Sequence, residues 1–345
     1  MSSRHIAFIL NERSSSGRGK RVWDQVVAPE AERLLGKDGF TLHLTQRPRH
    51  GTELAIELIN QHCADTTQAE SSDIRLVIVC VGGDGTVSEV VSGYLDANGV
   101  GKGVAIGIIA AGTGNDFVKS IPGYPSKDPA AALRAIIACK TMRISAGRYT
   151  CRRIPGQTYG GIQSAVASPA LPPSTSTSPP PLATTTALEA TLKDTELQIQ
   201  TVDSGIGNST ADVAKGQRHG YFVNIISCAM SGEVIKNSES SPLVKLLGGT
   251  LGYLLLAAWN IFSFRNRRAK ITYSRENTTA EPTATSSSSS SSVISLVLNL
   301  FLLCICNGQY FGGDMRVSDS AKLDDPNLHA VTVFDSGVCL VHCPV

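Results

Sequence analysis

Two short glycine-rich stretches hold the residues whose types and spacing could do chemistry. Gly82-Gly83-Asp84-Gly85-Thr86 follows the apolar run 75–82 (RLVIVCVG) and opens a helical pattern. Gly112-Thr113-Gly114-Asn115-Asp116-Phe117 follows a second apolar run, 104–110 (VAIGIIA). Glycine lets the backbone bend sharply and lets amide N–H groups come close to an anion. A helix starting at Thr86 adds the positive end of its dipole. Placed at the carboxyl ends of neighbouring parallel strands, the two loops would share one rim of a sheet, where open α/β sheets hold ligands. A phosphate-bearing ligand is the expectation. Asp84 then sits at the carboxyl end of a parallel strand, where such sheets hold ligands. No Gly-Lys-[Ser/Thr] occurs, and neither loop fits G-x-G-x-x-G with a downstream acidic ribose partner. A P-loop NTPase and an NAD dehydrogenase are both disfavoured.

The elements needed to position these loops are legible around them. Strand patterns at 5–10, 40–46, 75–82 and 104–110 alternate with helical patterns at 22–35, 52–63, 86–97 and 129–140, with the polar Gly/Ser stretch 11–20 read as a loop. Strands separated by helices predict a doubly wound parallel sheet with helices on both faces. Residues 221–227, 269–274, 293–306 and 329–335 all read as strands, so the second half is expected to be mainly β, with one apolar helix near 243–264. The domains are placed at 1–150 and 151–345. Residues at about 165–215 and at 277–292 are too poor in apolar side chains to form a core and are expected to be disordered inserts.

Composition narrows the function classes. The 345 residues are 42% hydrophobic and 17% charged, with a formal net charge of +2. That balance argues against bulk attraction to nucleic acid, while leaving room for a local basic patch. Nine cysteines occur without a Cys-x-x-Cys, so no zinc finger is present and a reducing intracellular compartment fits. Residues 246–264 form nineteen residues without a charge, followed by Arg265, Arg267 and Arg268. With three glycines and Asn260 in it, the segment reads as a buried or membrane-skimming helix.

On these residues the chain resembles the diacylglycerol kinase catalytic family, which also includes sphingosine, ceramide and bacterial lipid kinases. GGDGT at 82–86 and GTGNDF at 112–117 resemble its two nucleotide-site motifs. Residues 11–19 resemble its first Gly/Ser loop, and Thr45 with 51–55 (GTELA) its next segment. NGQYFGG at 307–313 resembles its NGxYxGGG motif, and Asp324-Asp325 its DDGLL segment. The resemblance implies an NAD-kinase/diacylglycerol-kinase-like α/β domain joined to a mainly β sandwich domain. It implies ATP and Mg²⁺ as cofactors and phosphoryl transfer to the hydroxyl of diacylglycerol or a related lipid. Asp84 would be catalytic. Asn11, Thr45, Gly82, Gly83, Asp84, Gly85, Thr86 and Glu89 would line the nucleotide site with Gly112, Thr113, Gly114, Asn115 and Asp116, while Asp325 matches a metal position. Asn115 and Asp116 are expected to fix the second loop rather than do chemistry. The implied partner is a lipid at a membrane surface, reached from the cytoplasm by peripheral association. No nucleic acid or protein partner is implied, and a homodimer is compatible.

The chain also departs from that pattern. Asp314 and Pro326 stand where the family has glycine, and Ala229 and Ser231 stand where it usually has Gly and often Asp. The acidic Asp-Gly-Glu segment that many bacterial members carry beyond the position of Val345 is missing, so the resemblance leaves three readings: Asp84 suffices, as in sphingosine-kinase-like members, or the chain is truncated, or it is inactive. The alternative readings are a catalytically impaired nucleotide- or lipid-binding relative, a sphingosine or ceramide kinase, and an NAD kinase.

Overall fold

Continuous apolar strands need cover on both faces, and the computed structural model supplies it. It describes residues 4–63, 73–152, 197–201, 217–234, 259, 261, 263–275, 292–334 and 343–344. Strands β1 (His5–Leu10), β2 (Thr41–Leu44), β3 (Leu76–Gly82) and β4 (Val104–Ala110) form one sheet in the order β2-β1-β3-β4. All its neighbours run parallel. Alternation sends successive side chains to opposite faces. Ala7, Ile9, Ile78, Cys80 and Ile108 enter one core with α3 (His50–Cys63), α4 (Asp84–Asp96) and α5 (Asp116–Lys119). Ile6, Phe8, Leu10, Val77, Val79 and Ile109 enter the other. There they meet α1 (Ser14–Val22), α2 (Ala28–Leu35), α6 (Pro129–Ala138) and the π-helical turn Trp23–Val27. β2 is the exposed edge.

Local chemistry explains where the elements depart from expectation. The helix expected over 22–35 starts earlier, at Ser14, and is interrupted. Pro29 has no amide to donate back to Gln25, and the helix widens into a π turn just ahead of it. The polar stretch 11–20 is therefore only partly a loop. Ser15, Ser16 and Gly17 take left-handed conformations within it.

The remainder is antiparallel and sheet-rich. β5 (Gly147–Arg152), β6 (Leu197–Thr201) and β7 (Gln217–Phe222) pair in the order β6-β5-β7. β8 (Ile225–Ala229), β9 (Arg267–Arg275), β10 (Ser292–Cys306), β13 (His329–Phe334) and β14 (Cys343–Pro344) form a second sheet centred on β10. β11 (Tyr310–Phe311) and β12 (Met315–Arg316) make a small hairpin. The two larger sheets share a core, in which Phe222 and Tyr149 meet Leu303 and Ile305.

Two expectations need adjustment, and one segment read as a strand proves longer in its pairing. A boundary at 150 falls inside β5, whose pairing with β6 and β7 assigns it to the second half. β6 lies within the stretch expected to be a disordered insert; its LQIQT pattern alternates with period two and finds a partner in β5. The segment 293–306 is one strand, paired with β9 over Ser292–Leu300 and with β8 and β13 beyond it. The rest of both inserts and most of the apolar helix near 243–264 lie outside the described residues.

Candidate active site

The carboxyl ends of all four parallel strands meet at one rim. Asn11 follows β1, Thr45 follows β2, Gly82 ends β3 and Ala111 follows β4. Backbone bonds knit the rim: Asn11 N donates to Val81 O (3.0 Å), Thr45 N to Leu10 O (2.9 Å) and Ala111 N to Gly82 O (2.8 Å). The sheet changes winding direction between β1 and β3, the crevice where such folds bind ligands. Across it Asn11 Nδ2 donates to Thr86 Oγ1 at 3.1 Å.

The two glycine loops touch backbone to backbone. A Cβ built on Gly112 would lie 2.4 Å from Gly83 Cα, so a side chain there must displace the facing loop. A Cβ on Gly82 would meet Thr86 Oγ1 at 2.6 Å. Over Gly85 nothing lies within 4 Å, so the start of α4 is open above that position. The first amides of a helix have no partner within it.

Carboxylates fasten the loops in series. Asp84 Oδ2 accepts from the Asp116 amide and Oδ1 from the Phe117 amide, both at 3.0 Å. Asp116 Oδ2 accepts from the Gly313 amide (2.9 Å) and Oδ1 from the Asp314 amide (3.2 Å). Loop one thus holds loop two, and loop two holds the tip of the β11–β12 hairpin. Asn115, in the left-handed region, closes its own loop: Gly112 N donates to Oδ1 (2.8 Å), and Nδ2 donates to Gly112 O (2.9 Å). Thr113 Oγ1 donates to Ser15 Oγ (3.1 Å), and Ser14 Oγ to Ala111 O (3.2 Å), adding the first Gly/Ser loop to the assembly.

Electrostatics follow this wiring. Burial of Asp116 favours its neutral form, but the Lys119 ammonium and the Gly313 and Asp314 amides outweigh it and hold the carboxyl below its ordinary value. Burial likewise disfavours charge on Lys119, yet its bonds to Asp116 and Asp314 raise its affinity for the proton. An open depression of about 630 Å³ lies against the first Gly/Ser loop, lined by Glu12, Arg13, Ser16, Gly17 and Lys20 among others, with no residue from either glycine loop.

Two expected residues sit elsewhere in the wiring. Glu89 accepts from the Arg49 amide (2.9 Å) and the Gly51 amide (3.0 Å), so it caps the start of α3. Asp325 closes a local turn, accepting from Asn327 N and Nδ2 (both 2.9 Å), and faces His329 at 3.5 Å. Among the described residues no group of three or more His, Cys, Asp or Glu could hold a metal ion. The glycine rim, with its open helix start, fits a polyphosphate; magnesium commonly relies on substrate phosphates and water with only one or two carboxylates.

Sequence reasoning gave no role to Lys119, Ser120 or Asn307. Asn307, 1% exposed, donates through Nδ2 to Ser145 O and Val223 O, both at 2.8 Å. Ser120 Oγ accepts from Gln309 N at 3.0 Å. The NGQYFGG motif was the available signal for these contacts, but its docking partners are distant in sequence.

Comparison with known proteins matches this geometry. Residues 5–149 match the model of the diacylglycerol kinase catalytic domain. A stretch of 133 residues, 37% of the chain, is 33% identical to Sphingoid long-chain bases kinase 1 of Arabidopsis thaliana, covering 15% of that protein. Another, 113 residues and 33% of the chain, is 31% identical to a Bacillus subtilis (strain 168) protein named "Putative lipid kinase YtlR", covering 31% of it. The matches therefore span less than a third of either relative's own length. A diacylglycerol kinase structure from Bacillus anthracis str. Sterne superposes with a TM-score of 0.51 at 14% identity, over 97% of this chain and 74% of that one, which is a likeness of fold. Residues 5–149, the α/β unit, are thus similar to the diacylglycerol kinase catalytic domain.

Proposed function

We propose that the chain is an ATP-dependent lipid kinase that transfers the γ-phosphate to the hydroxyl of diacylglycerol or a close relative. The observation that supports this most is the carboxylate-fastened pair of glycine loops at the switch point of a parallel sheet. Amides at Gly83–Thr86 receive phosphate oxygens, while Asn11, Thr45 and Thr113 border the nucleotide. Phosphoryl transfer depends mainly on positioning and charge stabilisation, which a rigid amide-lined rim can supply. Mg²⁺, when bound, neutralises charge on the transferred group. Asp84 keeps both loops in register, and its remaining lone pairs are available to the acceptor hydroxyl or to metal-bound water. Labelled phosphate transfer from ATP to a lipid panel tests the reading. Label in lipid is expected, and its absence with well-folded protein overturns the proposal.

A second substrate reading, a sphingoid base, is favoured by the 33% identity to the Arabidopsis protein of that name. The same panel separates the two.

The lipid is reached at a membrane surface. Among the described residues no helix is long and apolar enough to cross a bilayer. Trp259 is 70% and Ile261 50% exposed, close in sequence to exposed Arg265, a combination suited to an anionic interface. Replacing Trp259 and Ile261 by Ser should weaken liposome binding; unchanged binding removes this part of the proposal.

A further inference from the structure

The tip of the β11–β12 hairpin carries an inference that rests on the kinase reading and deepens it. Asp314 has φ 89°, a left-handed backbone that L-residues avoid. A residue held in such a region points to a compensating role for its side chain. That side chain reaches Lys119: Asp314 Oδ1 lies 2.7 Å from Nζ, and the same ammonium lies 2.8 Å from Asp116 Oδ1. Asp116 meanwhile accepts the amides of Gly313 and Asp314. One ammonium therefore stands between a carboxylate of the nucleotide loop and a carboxylate of the hairpin.

The exposures assign the parts. The Asp116 side chain is 9% exposed, Lys119 23% and Asp314 83%. Lys119 is anchored at its buried end, and Asp314 is the movable arm. Without the ammonium, Asp116 and Asp314 would confront each other as like charges, and the hairpin tip would be repelled from the loop. The hairpin's other ion pair among the described residues, Arg316 to Asp319 at 3.0 Å, is local and cannot replace this one.

We infer that Lys119 and Asp314 form an electrostatic clasp that holds the β11–β12 hairpin against the GTGND loop and so sets the crevice in which nucleotide and acceptor hydroxyl meet. Both are positioning residues. Glycine at 314 would relieve the backbone but could not close the clasp.

The test uses the full chain with Lys119→Met, Lys119→Arg, Asp314→Asn and the double variant Lys119→Met/Asp314→Asn. Hydrogen exchange of the 308–316 segment reads the clasp without requiring turnover, and kcat and KM for ATP read its consequence. Lys119→Met should speed exchange about tenfold and lower kcat/KM by a similar factor, because a buried carboxylate loses its counter-charge. Asp314→Asn should have a smaller effect, roughly threefold, that shrinks in high salt. Lys119→Arg should restore both readouts. The double variant should be better than Lys119→Met alone, because the repulsion has gone. Strictly additive effects, or unchanged exchange in Lys119→Met, would overturn the clasp. Should Lys119→Met fail to fold, Asp314→Lys decides: it must loosen the tip, and unchanged exchange overturns the inference. If the wild type phosphorylates no lipid, the kinase reading falls while the exchange data still judge the clasp.

Discussion

Asp84 accepts two amides from the opposite loop, so its replacement has a calculable consequence. Asn keeps the shape but presents one NH₂ to an amide donor, which leaves a hydrogen-bonding group unpaired at a cost of about 1–3 kcal/mol. Asp84→Asn should lower lipid phosphorylation by roughly 100-fold or more, as for other removals of a charge-organising group. Gly112→Ala should be as damaging by another route: its Cβ would enter the space of Gly83, and such overpacking costs about 1–3 kcal/mol. Nucleotide binding measured by calorimetry should fall in both variants, and wild-type affinity in Gly112→Ala would show that the loops tolerate separation. Ala229, at φ 71°, stands where the resembled family has glycine. Ala229→Gly should raise stability by about 1 kcal/mol in denaturant unfolding, the order of the left-handed penalty for an L-residue. The glycine loops were readable in the sequence because their composition announces their backbone. The strain at Ala229 and Asp314 lies in a backbone φ imposed by the tertiary fold, and the sequence marked it only indirectly, as positions where the resembled family has glycine.

At the scale of elements, apolar continuity made β1, β3 and β4 legible, and the strand 104–110 ends where the pattern predicts. β6 was hidden because five alternating residues amid polar sequence gain strand character only from β5. Glu89 shows the same limit. Its place on α4 was readable, but not its hold on Arg49 and Gly51 across the groove between two helices. Glu89→Gln can still accept one of these amides, so it should cost roughly 1 kcal/mol of stability and leave kcat within about threefold. Thermal unfolding beside steady-state kinetics checks this, and a large loss of kcat at unchanged stability would return Glu89 to the nucleotide site.

Across the whole molecule, Ser120 and Asp116 beside the rim accept the Gln309 and Gly313 amides of the second half, and Asn307 donates to Ser145 O and Val223 O. Asn307→Ala removes two buried donors and strands two carbonyls, and should cost about 2–4 kcal/mol. The Asp116 link also predicts a pH dependence. Its folded pKa lies below the unfolded 3.8, so its contribution is complete above 3.8 and is lost as pH falls through the lower folded value. Lys119 has the opposite sign: its contribution is complete below 10.5 and is lost as pH rises through its raised value. The stability difference between wild type and Asp116→Asn should therefore be flat near neutrality and shrink in acid. A difference that persists in strong acid would mean that Asp116 does not act through its charge. These long-range contacts join residues up to 198 positions apart, a distance over which no local pattern carries information.

The central claim is phosphoryl transfer from the glycine rim to a lipid hydroxyl. Its most direct measurement is transfer of label from γ-labelled ATP to diacylglycerol, sphingoid base and ceramide in mixed micelles, comparing wild type with Asp84→Asn. The account predicts labelled lipid from the wild type and a loss of roughly 100-fold in the variant. Folded wild-type protein that labels no lipid, or a variant as active as wild type, would contradict it.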